Sequence, residues 1–177
     1  MVMRLSMLRF ALLLLFAVLM GGCTGIPAGI KPVQSFELQR YLGKWYEVAR
    51  LDHAFERGLN RVSAQYSLRE DGGVKVVNRG WDVEKKQWKQ AVGKAYFVRN
   101  GEEGYLKVSF FGPFYGAYVI FSLDANYQYS FIAGPNRDYL WLLSRTPMVP
   151  ESVMQRFKQQ AGALGFDVTK LIVVKQH

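Results

Sequence analysis

Residues 43–51 read GKWYEVARL, and this stretch begins the part of the chain that decides the fold. From Trp45 to Arg145 the sequence is a succession of short segments in which apolar and polar residues alternate. A period of two is typical of β-strands with one buried face. Turn residues separate the segments, as Asp71-Gly72-Gly73 does after the segment that ends at Leu68. The sequence therefore predicts an all-β core.

Eight such segments follow one another at spacings of about ten residues, which predicts a sandwich or a barrel. They cover 44–51, 62–68, 74–77, 88–98, 105–111, 115–123, 127–133 and 139–144. No proline lies within any of them, which suits a closed sheet. The period then changes, because Val153, Phe157 and Ala161 recur at helical spacing before Gly165. One amphipathic helix is expected on the outside of the sheet, followed by a short strand at 171–174.

Several motifs in this pattern resemble those of the lipocalin family. Gly43 and Trp45 are similar to the G-x-W signature of the first lipocalin strand, and Arg145 matches the arginine that packs across that tryptophan. Asp124 and Tyr127 resemble the middle lipocalin motif in a divergent form. The phrases at 50–58 and 107–115 look closer still to the bacterial lipocalins. The resemblance covers nearly the whole mature chain and implies an eight-stranded antiparallel up-and-down barrel with one C-terminal α-helix packed outside.

The motifs are also expected to meet in space. Successive strands of an up-and-down barrel alternate in direction, so the start of strand one, the link after strand six and the end of strand eight lie at one end. Arginine over a tryptophan face is a cation–π pair worth about 0.5–2 kcal/mol. We expect Gly43, Trp45, Asp124 and Arg145 to close the barrel as structural residues.

An eight-stranded barrel has room for packed side chains or for one small ligand. Strand parity places Trp141 and Tyr139 on the inward face that the resemblance assigns to Arg145. On the sixth strand both faces are apolar, and we favour the face that mixes small and large groups over the face with Tyr118 and Ile120. The predicted ligand-binding residues, including one at the open rim, are Phe55, Tyr115, Ala117, Val119, Tyr139 and Trp141.

The resemblance implies that the ligand is a fatty acid or a lysophospholipid. Burial of an acyl chain gains about 0.8 kcal/mol per CH₂. At the rim, His53, Arg57 and Arg137 could meet a carboxylate or phosphate, or be ordinary loop charges. Some bacterial lipocalins form homodimers, and the sequence neither supports nor excludes one here.

The N-terminal residues predict a lipid anchor. Arg4 and Arg9 precede an apolar run from Phe10 to Met20, which is far shorter than the roughly 20 residues of a membrane-spanning helix. A basic start and a short apolar run are typical of a secretory signal peptide. Small residues then precede Cys23, the only cysteine, which resembles a bacterial lipobox. The alternative is an ordinary signal peptide with an incidental cysteine.

We therefore divide the chain into a lipoprotein signal peptide (1–22), a lipidated N-terminus and flexible tether (23–35), and a lipocalin barrel with its helix (36–177). Thr24 stands where lipoproteins retained at the inner membrane have aspartate, which implies the outer membrane, with the barrel facing the periplasm. The acyl chains would supply the anchor.

Other classes of protein find little support. The formal net charge is +9, but the basic residues are spread along the strands, so nucleic-acid binding is not predicted. The chain has two histidines, His53 and His177, and no nucleophile, metal or phosphate-loop motif. We therefore predict no catalytic activity, metal or cofactor, although an inward Glu47 keeps a lipocalin-type enzyme as an alternative. A partner-binding lipoprotein with a filled barrel is the other alternative.

Overall fold

The computed structural model describes residues 24–177, so the predicted signal peptide and Cys23 lie outside the described residues. The chain forms a short helix α1 (Leu38–Tyr41) and then eight strands. The strands are β1 (Gly43–Arg50), β2 (Leu59–Leu68), β3 (Val74–Asp82), β4 (Gln87–Phe97), β5 (Tyr105–Phe111), β6 (Phe114–Leu123), β7 (Tyr129–Ala133) and β8 (Leu140–Ser144). Helix α2 (Glu151–Ala163), a 3₁₀ turn (Val168–Lys170) and β9 (Ile172–Val173) follow. None of the helices in this part of the chain is long and apolar enough to cross a membrane.

All strand pairings are antiparallel, and each strand from β1 to β7 pairs with the next. Strand β1 also pairs with β8, with Tyr46 opposite Ser144, and this pairing closes the sheet. The predicted eight-stranded up-and-down barrel is confirmed. The side chains inside the barrel form one hydrophobic cluster that includes Trp45 and Leu143. Along each strand these inward residues alternate with outward ones, as expected for a strand with one buried face.

The seam between β1 and β2 is completed by the C-terminal residues. The lower part of β1 pairs with β2, from Gly43 opposite Tyr66 to Tyr46 opposite Ser63. In the upper part, β9 pairs with β1 instead, and the Val174 amide donates to the carbonyl of Val48 (2.9 Å). The Gln176 side chain then donates to the carbonyls of Glu47 (2.6 Å) and Val62 (2.9 Å), so it bridges the two strands.

Helix α2 packs on the outer face of the sheet, as predicted. Its buried residues are Val153, Met154, Phe157 and Ala161. They form a second hydrophobic cluster with outward side chains of β6, β7 and β8. The aromatic rings of Phe157 and Phe131 meet edge to face at 5.0 Å. The part of the sheet formed by β6, β7 and β8 is therefore buried on its inner face by the barrel interior and on its outer face by α2.

The segment 24–35 is not the flexible tether that its glycines and prolines predicted. Ile30 is buried in the cluster under α2. Val33 makes two backbone hydrogen bonds, from its amide to Ile120 (2.9 Å) and from the Gly104 amide to its carbonyl (2.9 Å). Isolated apolar residues in an extended path fill grooves without any periodic pattern, so no local feature of the sequence signals this packing.

Candidate functional site

A cavity of about 840 Å³, which includes the space at its open mouth, lies inside the barrel. Its wall is mostly apolar and is built from inward residues of the strands, with α1 below and the 51–58 loop above. The lining residues are Phe36, Leu38, Tyr41, Glu47, Phe55, Glu56, Val62, Ser63, Ala64, Tyr66, Val74, Val76, Asn78, Ala95, Leu106, Val108, Phe110, Tyr118, Trp141 and Leu143.

Two of the predicted ligand-binding residues line this cavity. Trp141 stands in the wall and Phe55 lies at the rim, where it is 57% exposed. Tyr139 does not line the cavity, but its ring stacks on Trp141 (6.1 Å between centroids) and on His53 (5.6 Å). Tyr139 therefore supports the upper wall from behind.

The predicted inward face of β6 is wrong. Ala117 and Val119 are buried in the cluster beneath α2, and Tyr115 lies on the same outer face, with Lys107 against its ring. Tyr118 lines the cavity instead. Both faces of β6 are apolar because one faces the cavity and the other faces a helix, so alternation alone could not distinguish them. The sequence identified Tyr118 only as a member of the disfavoured set.

Three tyrosine hydroxyls form a polar spot in the lower wall. The Tyr118 hydroxyl lies 2.8 Å from that of Tyr41 and 3.0 Å from that of Tyr66, and the Ser130 hydroxyl lies 3.0 Å from that of Tyr41. Burial raises the pKa of Tyr41 to about 12, and it raises the pKa values of Tyr66 and Tyr118 as well. All three are therefore neutral and bond to one another, which leaves the lower cavity without charge.

The upper cavity contains a buried acidic pair. Glu47 accepts a hydrogen bond from Arg50 Nη1 (2.7 Å). Glu56 accepts one from Trp141 Nε1 (3.1 Å), and its carboxylate lies 3.0 Å from His53 Nε2. A bulge in β1 between Glu47 and Ala49 brings Arg50 to Glu47. Glu56 was not predicted, because a loop residue has no parity that would show its direction.

The two carboxyl groups differ in protonation. Burial, and then the negative charge of Glu56, raise the pKa of Glu47 well above its usual value. Burial also acts on Glu56, but hydrogen bonds and charge from His53, Trp141 and Arg50 outweigh it and lower the pKa of Glu56. The raised pKa of Glu47 favours its protonated form, and the lowered pKa of Glu56 favours a carboxylate whose charge offsets that of Arg50.

The three basic side chains considered for a headgroup already have other contacts. Arg57 Nε donates to Asp52 (2.8 Å), and His53 is buried beside Glu56. Arg137 donates to the carbonyls of Leu164 (2.8 Å) and Ala28 (2.7 Å). These contacts hold the loops around the mouth in place. Among residues 24–177, no group of three His, Cys, Asp or Glu side chains is placed to hold a metal ion.

The motif residues meet at the opposite end of the barrel. The Arg145 guanidinium lies 4.0 Å from the centre of the Trp45 ring. It donates to the carbonyls of Arg40 (2.7 Å), Leu42 (2.9 Å), Lys44 (2.9 Å) and Tyr127 (3.3 Å).

The neighbouring motif residues fix the backbone at this end. Gly43 adopts a positive φ of 95°, and a Cβ there would lie 3.3 Å from Arg145 Nη1. The Asp124 carboxylate accepts from the backbone amides of Asn126, Gln128 and Tyr129, which shapes the turn before β7. None of these motif residues lines the cavity.

Comparison with known proteins agrees with this geometry. Residues 36–176 match the family described as Lipocalin-like domain. The chain is 58% identical over 170 residues to the outer membrane lipoprotein Blc of Vibrio cholerae, and the matched region covers 96% of this chain and 99% of that protein. It is 51% identical over 150 residues to the outer membrane lipoprotein Blc of Escherichia coli, with 85% of each chain covered.

Solved structures share the fold at low sequence identity. Insecticyanin from the tobacco hornworm Manduca sexta superposes with a TM-score of 0.68 at 17% identity, covering 85% of this chain and 86% of that one. The cockroach allergen Per a 4 superposes with a TM-score of 0.67 at 17% identity, covering 87% of this chain and 96% of the allergen. The chain is therefore an outer membrane lipoprotein that belongs to the lipocalin family.

Proposed function

We propose that the barrel holds the acyl chain of a fatty acid or a lysophospholipid, while lipidated Cys23 anchors the protein to the periplasmic face of the outer membrane. The observation that carries the proposal is the cavity, which is mostly apolar, open at one end and closed at the other. An acyl chain that enters it leaves water for contact with Val76, Leu106 and Val108, at a gain of about 0.8 kcal/mol per CH₂.

The charge of the upper cavity bears on the choice between the two ligand classes. A fatty acid carboxylate held at the level of Glu56 would face the ionised carboxylate of Glu56. The nearby donors, Trp141 Nε1 and His53 Nε2, already contact Glu56 and are not free for the ligand. A lysophospholipid has its charge farther from the acyl chain, so its phosphate reaches the solvent beyond the rim. We therefore expect the lysophospholipid to bind more tightly than the fatty acid at neutral pH. Glu56→Gln should reduce this difference in affinity between the two ligands.

Ligand titration of residues 24–177 tests the proposal directly. Intrinsic tryptophan fluorescence is measured while lysophosphatidylethanolamine or palmitate is added. Because Trp141 forms part of the wall, we expect a saturable change, and Trp141→Ala should weaken binding by about tenfold. Trp88→Ala is the matched control, because Trp88 lies outside the cavity lining and is 43% exposed.

Two results would contradict the proposal. Equal weakening by both tryptophan variants would place the ligand outside the barrel. A folded protein that responds to neither ligand and yields no acyl chain on solvent extraction would favour a filled barrel that binds a protein partner.

A further inference from the structure

The hairpin between β5 and β6 ends in two exposed phenylalanines. Phe111 is 80% exposed and Phe114 is 74% exposed, on either side of Gly112-Pro113. Both lie at the open end of the barrel, and neither lines the cavity. No charged residue occurs between Lys107 and Asp124, so the tip is wholly apolar and uncharged. Large aromatic side chains in this position are typical of a surface that is covered in use.

Charge is distributed unequally between the two ends. At the open end, residues 52–61, 79–89 and 134–139 contain seven Lys or Arg and five Asp or Glu, and one of the acids, Glu56, is buried beside Arg50. At the closed end, residues 37–44, 69–73, 98–104, 124–128 and 145–151 contain five Lys or Arg and seven Asp or Glu. The open end is therefore basic and the closed end is acidic.

Several of the basic groups at the open end have no acidic partner within residues 24–177. Lys85 and Lys86 occupy the exposed turn between β3 and β4 and make no ion pair there. Nearby, Arg79 lies 4.2 Å from the centre of the Trp88 ring, and Trp88 is itself exposed. Exposed tryptophan beside arginine and lysine is the combination that favours the interface of a membrane with water.

We infer that the open end docks on an anionic lipid bilayer, with Phe111 and Phe114 inserted among the acyl chains and Lys85 and Lys86 against the headgroups. The basic open end is complementary to an anionic surface, whereas the acidic closed end is repelled by it. In this orientation the mouth of the cavity faces the bilayer, so an acyl ligand passes between them without crossing water. This last step rests on the proposed function, but the docking surface does not.

Vesicle co-sedimentation tests the inference on residues 24–177, which contain the whole closed sheet, its helix and both of the large hydrophobic clusters. Vesicles of phosphatidylethanolamine with phosphatidylglycerol are compared with vesicles of phosphatidylcholine alone. We expect binding to the anionic vesicles that weakens as salt is added. Phe111→Ser with Phe114→Ser should lower the partition coefficient about tenfold, and Lys85→Glu with Lys86→Glu should lower it on anionic vesicles only.

Matched controls are available at other surfaces. Met148→Ser removes a side chain that is 71% exposed at the closed end, and Lys158→Glu reverses an exposed charge on α2. Both controls should bind vesicles as the unchanged chain does. Equal losses in the controls, or no binding to either kind of vesicle, would overturn the inference.

Two further measurements distinguish docking on a bilayer from self-association and from ligand binding. Sedimentation velocity of the phenylalanine variant should be unchanged, and a shift from dimer to monomer would mean that a second copy of the chain covers the tip instead. Acyl-ligand affinity without vesicles should also be unchanged, because neither phenylalanine lines the cavity. Vesicle binding by a chain that takes up no ligand would refute the proposed function and leave the docking surface intact.

Discussion

Replacing Arg145 with alanine is expected to destabilise the barrel far more than it weakens ligand binding. The substitution removes hydrogen bonds to four backbone carbonyls and the contact with Trp45. A hydrogen bond to a charged group contributes about 1.5–3 kcal/mol, but water can replace several of these at a partly exposed site. With a cation–π contribution of about 0.5–2 kcal/mol, we expect a total loss of about 3 kcal/mol.

For a chain of this size, such a loss lowers Tm by roughly 6–12 °C. Thermal unfolding followed by circular dichroism measures it, and acyl-ligand affinity should change by less than about twofold, because Arg145 does not itself line the cavity. Arg99→Ala is the control, since its exposed ion pair with Glu103 is worth less than about 1 kcal/mol. A fall of less than about 2 °C, or an effect mainly on affinity, would refute the closing role of Arg145.

Three further outcomes are expected. Glu47→Gln should become more stable relative to the unchanged chain as pH rises above about 4.5, because the pKa of Glu47 is raised in the folded state, so the stability that protonated Glu47 contributes is complete below its unfolded-state pKa and is lost as pH rises through its folded-state pKa. Urea unfolding at several pH values measures this difference in the free energy of unfolding, with Glu84→Gln at an exposed position as the control. Parallel curves of stability against pH for the Glu47 variant and the unchanged chain would argue against burial as the cause. Val119→Ala should lower the free energy of unfolding by about 2 kcal/mol and leave acyl-ligand affinity unchanged, since Val119 packs beneath α2. Weaker ligand binding with unchanged stability would instead mean that Val119 lines the cavity. Cys23→Ser should abolish the incorporation of labelled palmitate in cells, and a persistent label would place the lipid on another residue.

The strands and the closing motif could be predicted from sequence because local patterns encode them. Alternation with period two, turn residues between the segments and the change to helical spacing near Val153 each depend on neighbours along the chain. Trp45 and Arg145 are a hundred positions apart, and only the resemblance joined them. Their contact at 4.0 Å confirms that part of the prediction.

The cavity was less predictable because its wall depends on which face of a strand something else covers. Strand β6 is apolar on both faces, and the position of α2 decides which one turns outward. The acidic pair depends on a β1 bulge that shifts Arg50 toward Glu47 and on a loop that folds Glu56 over the mouth. Neither event has a local signal in the sequence.

The seam between β1 and β2 has a consequence for the order in which the protein matures. Because β9 and Gln176 complete that seam, the first strand obtains its full set of neighbours only from residues that are synthesised last. A chain that ends before β9 therefore keeps the pairing of β1 with β8 and with the lower part of β2, but leaves the upper part of the β1–β2 seam without its bridge.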